Sequence, residues 1–125
     1  MLVTGGAGYV GSHAAKALRA AGYRTVIYDN LSAGYREAAL GAPLIVGEIG
    51  DVAAVRRALR ETGACAVMHF AAWLNVAESV GDPVGYYRNN VMGTLANHPD
   101  LADDFIRKRV APRDVIAQLL ERKAK

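Results

Sequence analysis

Cysteine is almost absent from this sequence: Cys65 is the single cysteine among 125 residues, so the chain can form no internal disulfide. That absence weakly favours a reducing compartment, and we expect a cytoplasmic location. Long apolar runs are missing as well, because no stretch approaches the roughly 20 residues of a membrane-spanning helix. The amino terminus shows neither the basic segment nor the cleavage site of a secretion signal, so we expect no membrane partner.

An excess of charge of one sign is also lacking, since 15 lysines and arginines face 12 acidic residues and the formal net charge is +3. The basic residues are scattered or confined to late helices, so we expect no nucleic-acid partner. His13, His69 and Cys65 stand at no spacing typical of metal ligands, and we predict no metal site. We expect His69 to be a buried histidine with satisfied ring nitrogens.

What the sequence contains is a regular alternation of strand and helix patterns. Short apolar runs, partly β-branched, predict strands over 1–4, 25–28, 44–46 and 66–70. Amphipathic stretches predict a first helix that ends near Gly22 and a second helix that Asp51 caps and Gly63 ends. A further helix is expected over 83–95. This alternation predicts an α/β fold with right-handed crossovers and a parallel sheet.

Two local details complete this interpretation. The loop over 30–43 is expected to contain one short helical turn around 36–40. The first helix is expected to turn one apolar stripe toward the sheet, made of Val10, Ala14, Ala17, Leu18 and Ala21.

A glycine cluster follows the first predicted strand, because residues 5–11 are Gly-Gly-Ala-Gly-Tyr-Val-Gly and a predicted helix opens there. Gly5, Gly8 and Gly11 have the spacing G-x-x-G-x-x-G. Small residues at such a loop allow a tight turn, close approach of backbone N–H groups to a pyrophosphate, and close packing of the helix on the sheet. The helix N-terminus also attracts the anion. By itself, the pattern is as often a plain tight turn.

Asp29 provides the loop with an acidic partner at the end of the next strand, at the spacing of about 20 residues typical of dinucleotide sites. A carboxylate there can accept hydrogen bonds from adenosine ribose hydroxyls, and it repels a 2′-phosphate. NAD is therefore expected rather than NADP. The alternative is that Asp29 only forms a turn before Asn30. Loop and carboxylate together predict a Rossmann-like three-layer domain with a partial parallel sheet, about four strands in the order 3-2-1-4.

Three stretches of sequence also carry a resemblance to a known family. They are Thr-Gly-Gly-Ala-Gly-Tyr-Val-Gly-Ser-His at 4–13, Asp-Asn-Leu-Ser-Ala-Gly-Tyr-Arg-Glu-Ala at 29–38, and His-Phe-Ala-Ala at 69–72 followed by the pattern over 76–94. Together they resemble the UDP-glucose 4-epimerase family, within the extended short-chain dehydrogenases/reductases and the NAD-dependent epimerases/dehydratases. The resemblance runs from residue 1 to about residue 95.

The resemblance implies NAD as the cofactor and assigns contacts along it. Tyr9 and Val10 would lie against the pyrophosphate, residues 29–34 around the adenosine ribose, and Glu48, where the family usually has Asp, beside the adenine. The expected set is Gly5, Gly8, Tyr9, Val10, Gly11, Asp29, Asn30, Leu31, Ser32, Gly34, Glu48, Ile49, Phe70, Ala71, Ala72, Leu74 and Asn89. The alternative is that several of these residues only pack the core or cap helices.

The activity that the resemblance implies is interconversion of UDP-glucose and UDP-galactose by transient hydride transfer to NAD. It needs a Tyr-x-x-x-Lys pair, in which the tyrosine is the base. No tyrosine of this sequence has a lysine four residues later. We therefore expect no catalytic residue here and an inactive chain, with a UDP-sugar as partner only if the missing half is supplied. The resemblance leaves a homo-oligomer open.

The composition changes after residue 95, so we divide the chain into an NAD-binding half domain over 1–95 and a helical tail of unrecognised origin over 96–125. Two amphipathic helices are predicted in the tail, and we expect them to cover a bare sheet face rather than to bind a partner. The alternative function is a non-catalytic module that binds NAD or an adenine nucleotide and whose tail binds a partner. A weaker alternative is a remnant that binds nothing.

Overall fold

Four short strands form a parallel sheet in the order β3-β2-β1-β4, as the sequence predicts. The computed structural model describes residues 1–94 of the chain. The strands are β1 (Leu2–Thr4), β2 (Val26–Asp29), β3 (Leu44–Val46) and β4 (Val67–His69). Thr4 is in register with Tyr28 on one side and with His69 on the other. The carboxyl ends of these strands therefore meet at one edge of the sheet.

Helices connect the strands and continue after β4. They are α1 (Tyr9–Ala20), a 3₁₀ turn (Arg36–Ala39), α2 (Val52–Thr62), α3 (Val76–Gly81), α4 (Pro83–Tyr87) and a π turn (Arg88–Met92). Parallel neighbours need such crossovers, because a tight hairpin can only join antiparallel strands.

The two faces of the sheet carry separate apolar clusters, which makes the domain three-layered. Val3 and Ile27, both fully buried, pack with Ala15 of α1 on one face. Leu2 and Tyr28 pack with the inner face of α2 on the other. Adjacent residues of a strand point to opposite faces, so a buried three-residue strand contributes to both clusters. The predicted α/β class and three-layer arrangement are confirmed.

The ends of α2 form as the sequence predicts. The Asp51 side chain accepts a hydrogen bond from the Ala54 N–H at 3.0 Å, and Gly63 ends the helix in the left-handed conformation, with φ 61°. The first turn of a helix needs an acceptor for its free N–H groups, and its end favours a residue that tolerates the left-handed conformation. Residues adjacent in sequence meet both requirements. Local sequence alone therefore suffices to find these ends.

Of two expectations about helices, one is wrong in part and the other is confirmed. Leu18 packs against the core as expected, but the rest of the buried stripe is Gly11 and Ala15, whereas Val10 is 57% exposed and Ala17 is exposed. Small residues occupy the buried positions because they let α1 approach the sheet closely. The helix expected over 83–95 is confirmed as far as residue 94, because α4 continues without a break through the π turn, and α3 precedes it.

None of the helices within residues 1–94 is long and apolar enough to cross a membrane. In the same part of the chain, no three His, Cys, Asp or Glu side chains are close enough together to hold a metal ion. The tail predicted over 96–125 lies outside the described residues.

Candidate functional site

A crevice opens at the carboxyl ends of the strands. Its lining residues are Gly5, Gly8, Tyr28, Asp29, Asn30, Ser32, Ala33, Gly34, Gly47, Ile49, Phe70, Ala71, Ala72, Trp73 and Asn89. A second, more open crevice adjoins it and adds Tyr9, Val10, Gly11, Leu74, Asn75, Glu78 and Tyr86. Open α/β sheets bind ligands at this edge.

The three glycines of the first loop have three different steric reasons. Gly5 has φ 69°, and a side chain there would overlap the main chain of Phe70. A Cβ on Gly11 would overlap the carbonyl oxygen of Gly5, so this glycine lets α1 pack against the loop. A Cβ on Gly8 would meet only the Gly5 oxygen, at 3.3 Å, and Gly8 lines both crevices. Its backbone is therefore the part of the loop that faces the open space.

Asp29 ties this loop to the end of β2. The residue is 8% exposed; Oδ2 accepts from the Ala7 N–H at 2.9 Å and Oδ1 accepts from the Leu31 N–H at 2.8 Å. A carboxylate has about four acceptor positions, so two bonds leave capacity for the hydroxyl groups of a ligand. The same side chain thus shapes the loop and presents negative charge to the crevice.

The loop after β2 is organised by Asn30 and by close packing against the glycine loop. The Asn30 amide donates to both Glu48 carboxylate oxygens at 3.0 and 3.2 Å, and its oxygen accepts from the N–H and hydroxyl of Ser32. A Cβ on Gly34 would lie 2.8 Å from the main chain of Ala7. The crevice floor beside Asp29 is therefore narrow and polar.

Tyr28 lies below this floor and is almost completely buried. Its hydroxyl donates to the Glu48 carbonyl oxygen at 3.0 Å. Burial raises the pKa of Tyr28 above 10.0, and the nearby Asp51 and Glu48 carboxylates raise it further. The phenol is therefore neutral at physiological pH and supports the floor.

The other wall of the crevice follows β4. The Phe70 N–H donates to the Thr4 carbonyl at 2.8 Å, which extends the pairing beyond the strand. The side-chain amide of Asn90 then bonds both backbone groups of Trp73. Trp73 meets Tyr86 edge-on, with ring centroids 5.3 Å apart, and the Tyr86 hydroxyl donates to Glu78 at 3.0 Å.

All but two of the residues expected to contact the cofactor line one of the two crevices. The exceptions are Leu31 and Glu48. Leu31 has φ 61° and packs against the core on the α1 face, while the Glu48 carboxylate is engaged by Asn30. The assignment of these residues to NAD stays a prediction.

Sequence reasoning missed the supporting roles of Tyr28 and Asn90. Tyr28 stands directly before Asp29 on a buried strand, a position from which its support of the crevice floor could have been inferred. The expectation that His69 is buried is wrong, because it is exposed at the end of β4. Its ring nitrogens are satisfied as expected, by Thr4 and Thr94.

A parallel sheet in this order, with a glycine loop after the first strand and a carboxylate at the tip of the second, defines a Rossmann-like domain of the dinucleotide-binding type. The chain belongs to the NAD dependent epimerase/dehydratase family, whose model matches residues 1–96.

Within that family, the chain is similar to UDP-glucose 4-epimerases. The UDP-glucose 4-epimerase of Rhizobium leguminosarum bv. trifolii is 48% identical over 95 residues, 76% of this chain and 29% of that enzyme. The one from Azospirillum brasilense is 51% identical over 96 residues, 76% of this chain and 28% of that enzyme. The crystal structure of UDP-glucose 4-epimerase from Brucella ovis in complex with NAD has a TM-score of 0.74 at 48% identity, and covers 77% of this chain and 30% of that one. The chain resembles the N-terminal, NAD-binding part of these enzymes and spans less than a third of their length.

Proposed function

We propose that this chain binds NAD in the crevice and serves as the nucleotide-binding part of a UDP-sugar 4-epimerase. The observation that carries the proposal is the hydrogen bond from the Ala7 N–H to the Asp29 carboxylate. It joins the glycine loop to the ribose-binding carboxylate at a single edge of the sheet. The complex of the Brucella ovis relative with NAD supports the same cofactor.

The residues present fit the parts of NAD. The open space beside Gly8 and the N-terminus of α1 suit a pyrophosphate, since the first N–H groups of a helix and its dipole attract anions. The spare acceptor capacity of Asp29 suits ribose hydroxyls. Ile49 offers an apolar surface for the adenine, and residues 70–74 and Asn89 would follow the cofactor toward its nicotinamide.

We expect NAD to bind more tightly than NADP. Asp29 and Glu48 place two carboxylates at the ribose end of the crevice. A 2′-phosphate there would bring further negative charge close to a poorly solvated carboxylate, which costs binding energy.

We propose that the chain alone does not catalyse epimerisation. NAD, when bound, supplies a hydride acceptor and donor, but the reaction also needs a base for the sugar hydroxyl. No tyrosine in the 125 residues is followed by a lysine at the fourth position. Burial holds the Tyr28 phenol neutral, and its hydroxyl hydrogen is donated to the Glu48 carbonyl. A UDP-sugar would thus meet its base only on residues that this chain lacks.

Calorimetric titration with NAD tests the binding proposal. Gly8→Val fills the open space above the loop and Asp29→Asn removes the charge, and each should weaken NAD binding by about tenfold or more. Gly50→Ala is the matched control, because a Cβ there meets no atom within 4 Å. Circular dichroism melts check that each variant is folded, with Gly8→Ala as the milder change. Equal affinity of the wild type and the folded Gly8 variants would refute the site.

An epimerase assay with UDP-galactose and NAD tests the catalytic part separately. We expect no turnover by the chain alone. Measured turnover would refute the proposed need for the missing residues. NAD binding without turnover fits the proposal, whereas failure to bind any adenine nucleotide would point to a remnant.

A further inference from the structure

Phe70 and Ala71 pack against the core, but the rest of the crevice wall after β4 has little apolar burial to hold it in place. Among the described residues of α3, α4 and the π turn, none is buried. Trp73, at the centre of this wall, is 39% exposed. Besides the edge-on contact with Tyr86, polar contacts hold Trp73 in position.

Asn90 supplies the main contact to Trp73. Its Oδ1 accepts from the Trp73 N–H at 2.8 Å, and its Nδ2 donates to the Trp73 carbonyl at 3.0 Å. Asn89 also donates to Asn90 Oδ1 at 2.8 Å. A flipped amide would set donor against donor and acceptor against acceptor, so the orientation of Asn90 is determined.

His69 connects this clamp to the sheet. The Thr94 hydroxyl donates to the Asn90 carbonyl at 2.9 Å, and His69 Nε2 lies 2.8 Å from the Thr94 oxygen. His69 Nδ1 lies 2.6 Å from the hydroxyl of Thr4, a buried residue of β1.

For a neutral imidazole, one fact fixes the direction of the hydrogen bonds from Thr4 through His69 and Thr94 to Asn90. A carbonyl oxygen can only accept, so Thr94 donates its single hydroxyl hydrogen to the backbone carbonyl of Asn90. Thr94 must then accept from His69, which places the hydrogen of the neutral imidazole on Nε2. The bare Nδ1 accepts from Thr4. Hydrogen bonds aligned in one direction polarise and strengthen one another.

We propose that His69 and Asn90 are positioning residues. Through Thr94, they link β1 to the backbone of Trp73 and so fix the crevice wall relative to the sheet. Neither side chain needs to touch the ligand. The effect on NAD rests on the function proposed above, but the network itself can be observed in the ligand-free chain.

Trp73 is the only tryptophan, so its fluorescence reports on this wall alone. Asn90→Ala should shift the Trp73 emission to longer wavelength and weaken NAD binding by about threefold to tenfold, the value of one or two net hydrogen bonds. Thr94→Val should do the same to a smaller extent, and Thr94→Ser, which keeps the hydroxyl, should restore wild-type behaviour. Ser79→Ala is the control, because that hydroxyl bonds only within α3.

Nitrogen NMR of the His69 ring supplies a readout that a merely structural role would not move. We expect the Nε2–H tautomer near neutral pH in the wild type, and its loss in Thr94→Val. An Nδ1–H tautomer, or wild-type emission in both Asn90→Ala and Thr94→Val, would overturn the proposal. If the wild type fails to bind NAD, the proposed function fails, while emission and tautomer still decide on the network.

Discussion

The two walls of the crevice are built in different ways. The glycine loop and Asp29 continue directly from β1 and β2, whose Val3 and Ile27 are fully buried. The wall over 70–92 contains three helical elements without a buried residue and depends on side-chain amides and hydroxyls. Moving the first wall would open the core, whereas breaking a few hydrogen bonds is enough to move the second. The difference predicts different responses to substitution.

Breaking the first wall should have the largest effect. A Cβ on Gly11 would overlap the Gly5 carbonyl oxygen and lie 2.8 Å from the Gly5 carbonyl carbon. Gly11→Ala should therefore lower the free energy of unfolding by about 1–3 kcal/mol, as overpacking does elsewhere. Gly81→Ala, in α3 of the second wall, meets no atom within 4 Å and is the matched control. Urea unfolding measures both, and equal losses would remove the distinction between the walls.

The floor below the first wall should show an intermediate effect. Tyr28→Phe removes the hydrogen bond to the Glu48 carbonyl and should cost about 1 kcal/mol of unfolding free energy. Because the pKa of Tyr28 is raised, the folded chain keeps the phenolic proton at a pH where the unfolded chain loses it.

The stabilising contribution of that proton is complete below pH 10.0 and is lost as pH rises toward the folded-state pKa. Urea unfolding near neutral pH and above about pH 10 measures it, and the alkaline loss should be smaller in Tyr28→Phe. An identical pH dependence in the variant would argue against the neutral, supporting phenol.

Breaking the second wall should have the smallest global effect. Asn75 caps α3 by accepting from the Ala77 N–H at 3.1 Å. Asn75→Ala should cost α3 about 1 kcal/mol locally. Because α3 buries nothing, we expect faster hydrogen exchange at Ala77 and Glu78 with the urea midpoint of the chain unchanged. A global loss as large as that of Gly11→Ala would show that both walls unfold as one unit.

Much of the first wall could be predicted from short stretches of sequence. Each of its features depends on residues adjacent in the chain. These features are the runs over 1–4 and 44–46, the glycine loop, the Asp51 cap and the helix end at Gly63. The second wall could not be predicted in this way. Asn90 and Trp73 are far apart in sequence, and the amide pattern that joins them has no local signature. The same holds for His69, whose partners come from β1 and from Thr94.

By itself, the sequence determined the alternation of strands and helices and the chemistry of the loop and carboxylate. These follow from periodicity and from backbone geometry that only certain residues tolerate. Only the tertiary structure decided that α1 packs through Gly11 rather than Val10, and that Asp29 holds the Ala7 N–H. It also decided that side-chain amides hold the second wall. The reason is physical: such contacts join residues distant in the chain, and packing and saturation of hydrogen bonds select them only once the sheet has formed.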